Sequence, residues 1–216
     1  MKRIKLVFFD VCDTLYDENT TFGFLEYYFP IGRKALLLKI RKLYIVKAFN
    51  YLFVKLFGYD FVRLMGISML KNESKKDLEI YAKQYVIDRL EYKKNKEIHT
   101  LLDRYKEEKR EIVLLSGSLD FIIKAIADEL QIDHYYASAL HYINSVSAGK
   151  IDIDLLGRKS FIVEKNFYGQ RYIVVTDNLS DLNIVKGSQK SYILSKEKNI
   201  SMWNTLNNIE IIKILE

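Results

Sequence analysis

The chain has 216 residues and a mass of 25.5 kDa, is 49% apolar and 29% charged, and carries a net charge of +6 and one cysteine. That composition excludes wholesale disorder and allows one domain, or one domain with a modest insertion. Lone Cys12 excludes an internal disulfide framework and any multi-cysteine zinc site, a usage that fits a reducing cytosol, and His99, His134 and His141 show no metal-ligand spacing.

The Met-Lys-Arg start runs at once into a strand-like segment, residues 4–9 (IKLVFF), that ends in Asp10. It lacks the long apolar stretch and small-residue cleavage site of a secretory signal, so a cytoplasmic protein is expected. Residues 20–93 read as helical throughout, with Pro30 and Gly32 separating two helices. Within them, residues 35–57 (ALLLKIRKLYIVKAFNYLFVKLF) are interrupted by Lys39, Arg41, Lys42, Lys47 and Lys55, too often for a spanning helix, and predict one or two amphipathic helices. Strands are predicted at 112–115, 172–175, 191–194 and 209–215, and helices at 119–130, from about 158, and at 179–186. Residues 136–153 predict a small hairpin around Asn144 and Gly149. Nearly continuous apolar strands alternating with helices indicate an α/β fold, a Rossmann-like, doubly wound parallel sheet. The all-helical run is then an insertion after the first strand.

Charge follows the same division. Residues 31–76 hold eleven basic residues against Asp60 and Glu73, a balance of +9, so the remainder is −3. A basic helical segment attracts anionic substrates. The plainer reading is that its lysines solvate the outer face of a helical bundle, with Phe22, Phe24, Tyr27, Tyr28 and Phe29 as bundle core. Peripheral contact with an anionic membrane is a lesser reading, and no nucleic-acid-binding motif is present. Composition says nothing of oligomeric state.

In open α/β sheets reactive groups gather at the carboxyl ends of the strands. Those ends carry Asp10-Val11-Cys12-Asp13-Thr14-Leu15, Ser116-Gly117-Ser118 leading into a helix, and Asp177-Asn178-Leu179-Ser180-Asp181, with Lys159 opening a helix just before the last of these strands. Each alone is an ordinary cap or turn former. Together, two carboxylates suit a hard cation, a Ser-Gly-Ser turn at a helix N-terminus suits phosphate, and a lysine suits charge developing on a phosphoryl group.

Four segments in this order, FFDVCDTLY, LLSGS, the lysine of GRKS, and VVTDNLSD, resemble the four motifs of the haloacid dehalogenase superfamily. The likeness covers essentially the whole chain and is greatest to its phosphoserine-phosphatase-like branch with a helical cap. It implies a core of residues 1–16 and 96–216 with an α-helical bundle cap at 17–95. It implies hydrolysis of a small phosphorylated substrate through an aspartyl-phosphate at Asp10, with Mg²⁺ held by Asp10, Asp177 and the main-chain carbonyl of Cys12. Ser116, Gly117 and Lys159 would bind phosphate. Asp181 would orient metal-bound water or Lys159, while Thr14 and Asn178 would support the loops.

The chain departs from the superfamily at one place. The pattern Asp-x-Asp-x-Thr-Leu puts Cys12 where the second Asp, the general acid and base, normally stands, and Asp13 is one residue late. A thiol, with a reference pKa of about 8.5, is a weak acid and a poor substitute for a carboxylate. Three outcomes are open: substrates whose leaving groups need little protonation, such as acyl phosphates; an acid supplied by Asp13, the cap or the substrate; or binding of a phosphorylated ligand or partner without efficient hydrolysis. Dehalogenase chemistry ranks lower because the metal-binding Asp177 is retained, and phosphonatase chemistry because no cap lysine is singled out for a Schiff base.

Overall fold

The computed structural model describes residues 4–215, with side chains as far as Ile212; residues 1–3 and 216 of the expected core segments lie outside the described residues. The strands are β1 (Leu6–Phe9), β2 (Glu111–Leu119), β3 (His134–Ile143), β4 (Val146–Ile153), β5 (Tyr172–Thr176), β6 (Lys190–Lys196) and β7 (Ile209–Leu215). They form one sheet in the order β4-β3-β2-β1-β5-β6-β7, parallel except for the antiparallel β3–β4 pair at one edge. That pair is the predicted hairpin; Asn144 and Ser145 make its turn with φ of 50° and 64°, the left-handed geometry of a two-residue hairpin loop.

The sheet is apolar on both faces, and residues alternate between them. Val7, Phe9, Ile112, Leu114, Ile173 and Val175 join one buried cluster, while Leu6, Phe8, Val113, Leu115, Val174 and Ile193 join the other. Period-two side-chain direction thus turns each continuous apolar run into two half-cores. Helices α6 (Lys96–Glu107) and α7 (Asp120–Glu129) contribute to the first cluster and α8 (Lys159–Asn166) and α9 (Leu182–Gly187) to the second.

Between β1 and α6 lie α1 (Thr20–Tyr28), α2 (Gly32–Ile40), α3 (Tyr44–Phe57), α4 (Phe61–Ser68), α5 (Lys75–Asp88) and a 3₁₀ turn at Leu90–Lys93. Asn19, Asp60 and Ser74 cap α1, α4 and α5, each side-chain oxygen accepting a backbone N–H of the first turn. This insertion does not close on a core of its own, as a separate bundle would. Phe24, Leu25, Ile67, Leu78 and Ala82 belong to the same cluster as Val7, Phe9 and Leu114. The Glu18 carboxylate accepts hydrogen bonds from Arg89 and Tyr85 and so ties β1's loop to α5. Backbone bonds Asn72 N–Ser147 O and Ser147 N–Glu73 O, 2.9 and 2.8 Å, fasten the insertion to the hairpin. Gly149 completes that contact: at φ +69°, a Cβ there would sit 3.0 Å from the Ser68 carbonyl oxygen.

Three local expectations are corrected. Ser116-Gly117-Ser118 is not a turn at a helix N-terminus but the end of β2, which continues to Leu119 before α7 starts; a register irregularity against β3 absorbs the extra residues. Residues 179–186 are a 3₁₀ turn, Leu179–Asp181, followed by α9, because Asn178 caps a tight turn through the N–H of Ser180. Of the five aromatics assigned to the bundle core, Phe22 and Phe24 are buried, while Tyr27, Tyr28 and Phe29 are only half-buried.

Candidate active site

Strand β1 lies between β2 and β5, where the winding of the sheet reverses, so the loops leaving its carboxyl end diverge and open a crevice. Asp10 is held there by one further ladder bond, its N–H donating to the Val175 carbonyl at 2.9 Å. The Val11 N–H donates to Asp10 Oδ1 at 2.7 Å. Thr14 joins the first loop to the loop after β5, donating its hydroxyl to Asp177 Oδ1 at 3.0 Å and accepting the Asp177 N–H at 3.1 Å.

Lys159, at the start of α8, carries an ammonium that is 2.7 Å from Asp10 Oδ2 and 2.8 Å from Asp181 Oδ2, with all three side chains buried. Thr176 donates to the same Asp181 oxygen at 2.7 Å. The Asn178 N–H donates to Thr176 Oγ1, and Asn178 Oδ1 accepts the Ser180 N–H. Ser116 is fully buried at the end of β2, and its Oγ accepts the Ser118 N–H at 3.2 Å. A cavity of about 140 Å³ brings together Asp10, Cys12, Asp13, Ser116, Gly117, Lys159, Asp177 and Asn178. Thr14 and Asp181 do not line it; they brace residues that do.

The electrostatics follow from placing several carboxylates around one ammonium. Burial, opposed by Lys159 and reinforced by Asp181, pushes Asp10 from its ordinary 3.8 up to about 6. Burial and the Asp10 charge push Asp177 up to about 7. Burial works against the Lys159 ammonium, but Asp10 and Asp181 outweigh it and hold the group protonated above its ordinary range. Cys12 is driven up to about 11 by burial and by Asp10, against a stabilising contact from its Sγ to Thr20 Oγ1 at 3.1 Å. The thiol therefore keeps its proton at neutral pH. Asp13, at φ +54°, is raised by partial burial and by Asp17, with Lys196 opposing.

The acidic part of this set suits a hard divalent cation. Its donors are oxygens, and burial and the neighbouring Asp10 charge both raise Asp177, which a bound cation would offset. Asp181 Oδ1 is buried without a hydrogen-bond partner among the described residues. No group of three or more His, Cys, Asp or Glu gathers in metal-binding geometry among the described residues. Magnesium commonly takes one or two carboxylates and completes its octahedron with water, substrate and main-chain oxygens, so two carboxylates suffice.

The insertion adds residues that sequence reasoning did not single out. Arg63 on α4 is buried and grips Asp154 with two nitrogens, at 2.7 and 3.0 Å, while its Nη2 also donates to the Gly117 carbonyl at 2.8 Å. Asn19, Thr21, Phe22 and Asp60 line the same cavity. Thr20 and Thr21 both meet Ser118 Oγ, at 2.8 and 2.9 Å, so a chain of hydroxyls runs from Cys12 to β2. Arg63 was one of eleven basic residues in its segment, and nothing in the sequence set it apart from the other ten.

Fold and site define a doubly wound α/β protein in which two strand-end aspartates and a buried lysine converge at the switch point. The chain belongs to the haloacid dehalogenase-like hydrolase family, whose model matches residues 7–185. Among solved structures it is similar to a Bordetella pertussis Tohama I protein of unknown function, with a TM-score of 0.76 and 13% identity over 97% of this chain and 99% of that one. It is also similar to phosphoserine phosphatase in a phospho-aspartyl intermediate analogue, with a TM-score of 0.63 and 18% identity over 99% and 96% of the two chains. A phosphoserine phosphohydrolase-like protein from Francisella tularensis subsp. tularensis SCHU S4 gives a TM-score of 0.60 and 16% identity over 96% and 95%. No curated protein sequence matches.

Proposed function

We propose that this chain is a Mg²⁺-dependent phosphohydrolase of small phosphorylated substrates that works through an aspartyl-phosphate on Asp10, and that it favours leaving groups needing little protonation. The observation that carries the reading is the Asp10–Lys159–Asp181 triad beside Asp177, with Lys159 within 2.8 Å of both partners. Asp10, Asp177 and the Cys12 carbonyl would hold the cation, which when bound would neutralise charge on the phosphoryl oxygens.

In the first step an Asp10 carboxylate oxygen forms a bond to phosphorus while the bond to the leaving oxygen breaks, that oxygen keeping the electron pair. Lys159 and Ser116 stabilise the equatorial oxygens, and Asp181 keeps Lys159 charged and aimed. In the second step water attacks phosphorus, the phosphorus–Asp10 bond breaks, and inorganic phosphate leaves. An alkoxide leaving group needs a proton, which a thiol held near pKa 11 supplies poorly. An acyl phosphate releases a carboxylate and needs none.

Cys12 also favours a second reading, binding of a phosphorylated ligand with little turnover. A screen of alkyl, aryl and acyl phosphates with Mg²⁺, on wild type, Asp10→Asn and Cys12→Asp, separates the two. The hydrolase reading expects acyl phosphate turnover that Asp10→Asn lowers by on the order of 10⁴-fold or more. It also expects a gain of about 10²-fold on alkyl phosphates in Cys12→Asp. Retained activity in Asp10→Asn would remove Asp10 as nucleophile. Metal-dependent ligand binding without turnover of any class would leave the binding reading.

A further inference from the structure

Helix α3 is the one α-helix among the described residues in which no residue is buried. Its sequence, YIVKAFNYLFVKLF, is among the most apolar in the chain. Ile45, Phe49, Leu52 and Leu56 fall at i, i+4, i+7 and i+11, a single stripe, and are 79, 58, 52 and 65% exposed. At about 100° per residue Lys55 flanks that stripe and Lys47 falls on the side opposite it. The preceding helix repeats the design: α2 buries only Ala35 and Leu38 and exposes Leu36, Leu37 and Ile40 beside Arg33 and Lys39. Leu43, between the two helices, is exposed as well. A monomer in water rarely leaves so continuous an apolar surface uncovered.

The charge around this surface selects what covers it. Residues 27–59 hold seven basic and no acidic residues. Arg41 and Lys42 pair with Glu26, and Lys34 with Glu73. Arg33, Lys39, Lys47 and Lys55 are exposed, and none takes part in an ion pair among the described residues. A second copy seated here would set these cations against their own counterparts. Protein interfaces are depleted in lysine, whereas helices lying in a membrane interface combine lysine with Phe, Leu and aromatic residues. Lysine stems reach along such a helix and leave their ammonium groups at headgroup level. At fourteen residues α3 is about 21 Å long, short of the roughly 30 Å hydrocarbon core, so it would lie in the interface. Among the described residues no helix is long and apolar enough to cross a membrane.

We propose that α3, supported by α2, docks this protein onto the surface of an anionic lipid bilayer. This inference does not depend on the phosphohydrolase reading. The docked helix is nonetheless joined to the site: Asn50 Nδ2 donates to Asp60 Oδ1 at 3.0 Å, Asn50 Oδ1 accepts the Val62 N–H at 3.0 Å, and Asp60 lines the cavity.

Co-sedimentation of the full chain with phosphatidylcholine vesicles, with and without phosphatidylglycerol, tests the proposal. The wild type is expected to pellet with the anionic vesicles, to stay in solution with the neutral ones, and to be released by salt. Phe49→Ser with Leu52→Ser should weaken binding by more than about tenfold, and each of Lys47→Glu and Lys55→Glu by about fivefold or more. All four positions are exposed, so unchanged thermal melting is expected and keeps a loss of binding from being a loss of folding. Wild type that remains in solution with anionic vesicles overturns the proposal. So do stripe variants that bind as wild type does, or light scattering that shows a stable dimer dissociated by Phe49→Ser.

Discussion

Helices α3 and α5 lie in the same insertion, have the same length of fourteen residues, and end up in opposite situations. The less apolar α5 packs on α7 and buries Leu78, Ala82, Tyr85 and Val86 in the cluster it shares with the sheet, whereas the more apolar α3 buries nothing. Apolar content therefore does not decide which helix enters the core. What differs is the partner surface. Residues of α1, α4 and α5 join α6 and α7 in the apolar cluster on the sheet's first face, whereas α3 meets α4 through Asn50 and Phe53 and adds no buried residue to that cluster. A helix that remains apolar after the core is complete is available for something outside the fold.

The largest effect that would break this contrast is a pair of truncations. Phe24→Ala, in the shared core, should cost about 3–5 kcal/mol, while Phe49→Ala on α3 should change stability by less than about 0.5 kcal/mol. Urea denaturation of both variants measures the difference. Equal losses would mean that α3 is packed after all.

A smaller effect should appear where the insertion meets the core. Arg63→Met leaves Asp154, Ser138 and the Gly117 carbonyl without their charged donor and should cost about 1.5–3 kcal/mol. Because the insertion shares its apolar cluster with the sheet, the variant should still unfold in one transition. Two resolved transitions would show that the regions are separate folding units.

The smallest effect is in the pH dependence. Asp177 rises from 3.8 to about 7 on folding, so the stability it contributes is present below pH 4 and lost as pH climbs through about 7. Without Mg²⁺, the wild type should therefore lose stability relative to Asp177→Asn between about pH 4 and pH 7. Adding Mg²⁺ should restore it in the wild type and not in the variant. A melting difference that stays flat across that window would remove the raised Asp177 carboxyl from the account of this site.

Much of this was legible along the chain because it is encoded locally. Short apolar runs of β-branched and aromatic residues become strands wherever they are buried on both faces, and Asp10 and Asp177 follow strand ends, and Lys159 opens a helix, that the alternation of elements already locates. The hairpin was visible around Asn144, but Gly149, the other residue expected at its turn, lies inside β4. Ser116-Gly117-Ser118 misled, because a Ser-Gly-Ser segment is compatible with a turn and only pairing with β3 extends β2 through it. Arg63 was hidden for the opposite reason. Its grip on Asp154 spans 91 residues of sequence, and no local pattern separates it from the lysines around it.

The composition and order of residues thus determined an α/β sheet, a basic helical insertion and a family resemblance that the family match bears out. Tertiary structure alone decided how that basicity is distributed. It drew Arg63 inward, paired Lys34, Arg41 and Lys42 with carboxylates, and left α3 with its apolar stripe and two lysines facing out. The physical reason is that one sheet face offers a finite area for burial, and which helix occupies it depends on contacts between residues far apart in the chain.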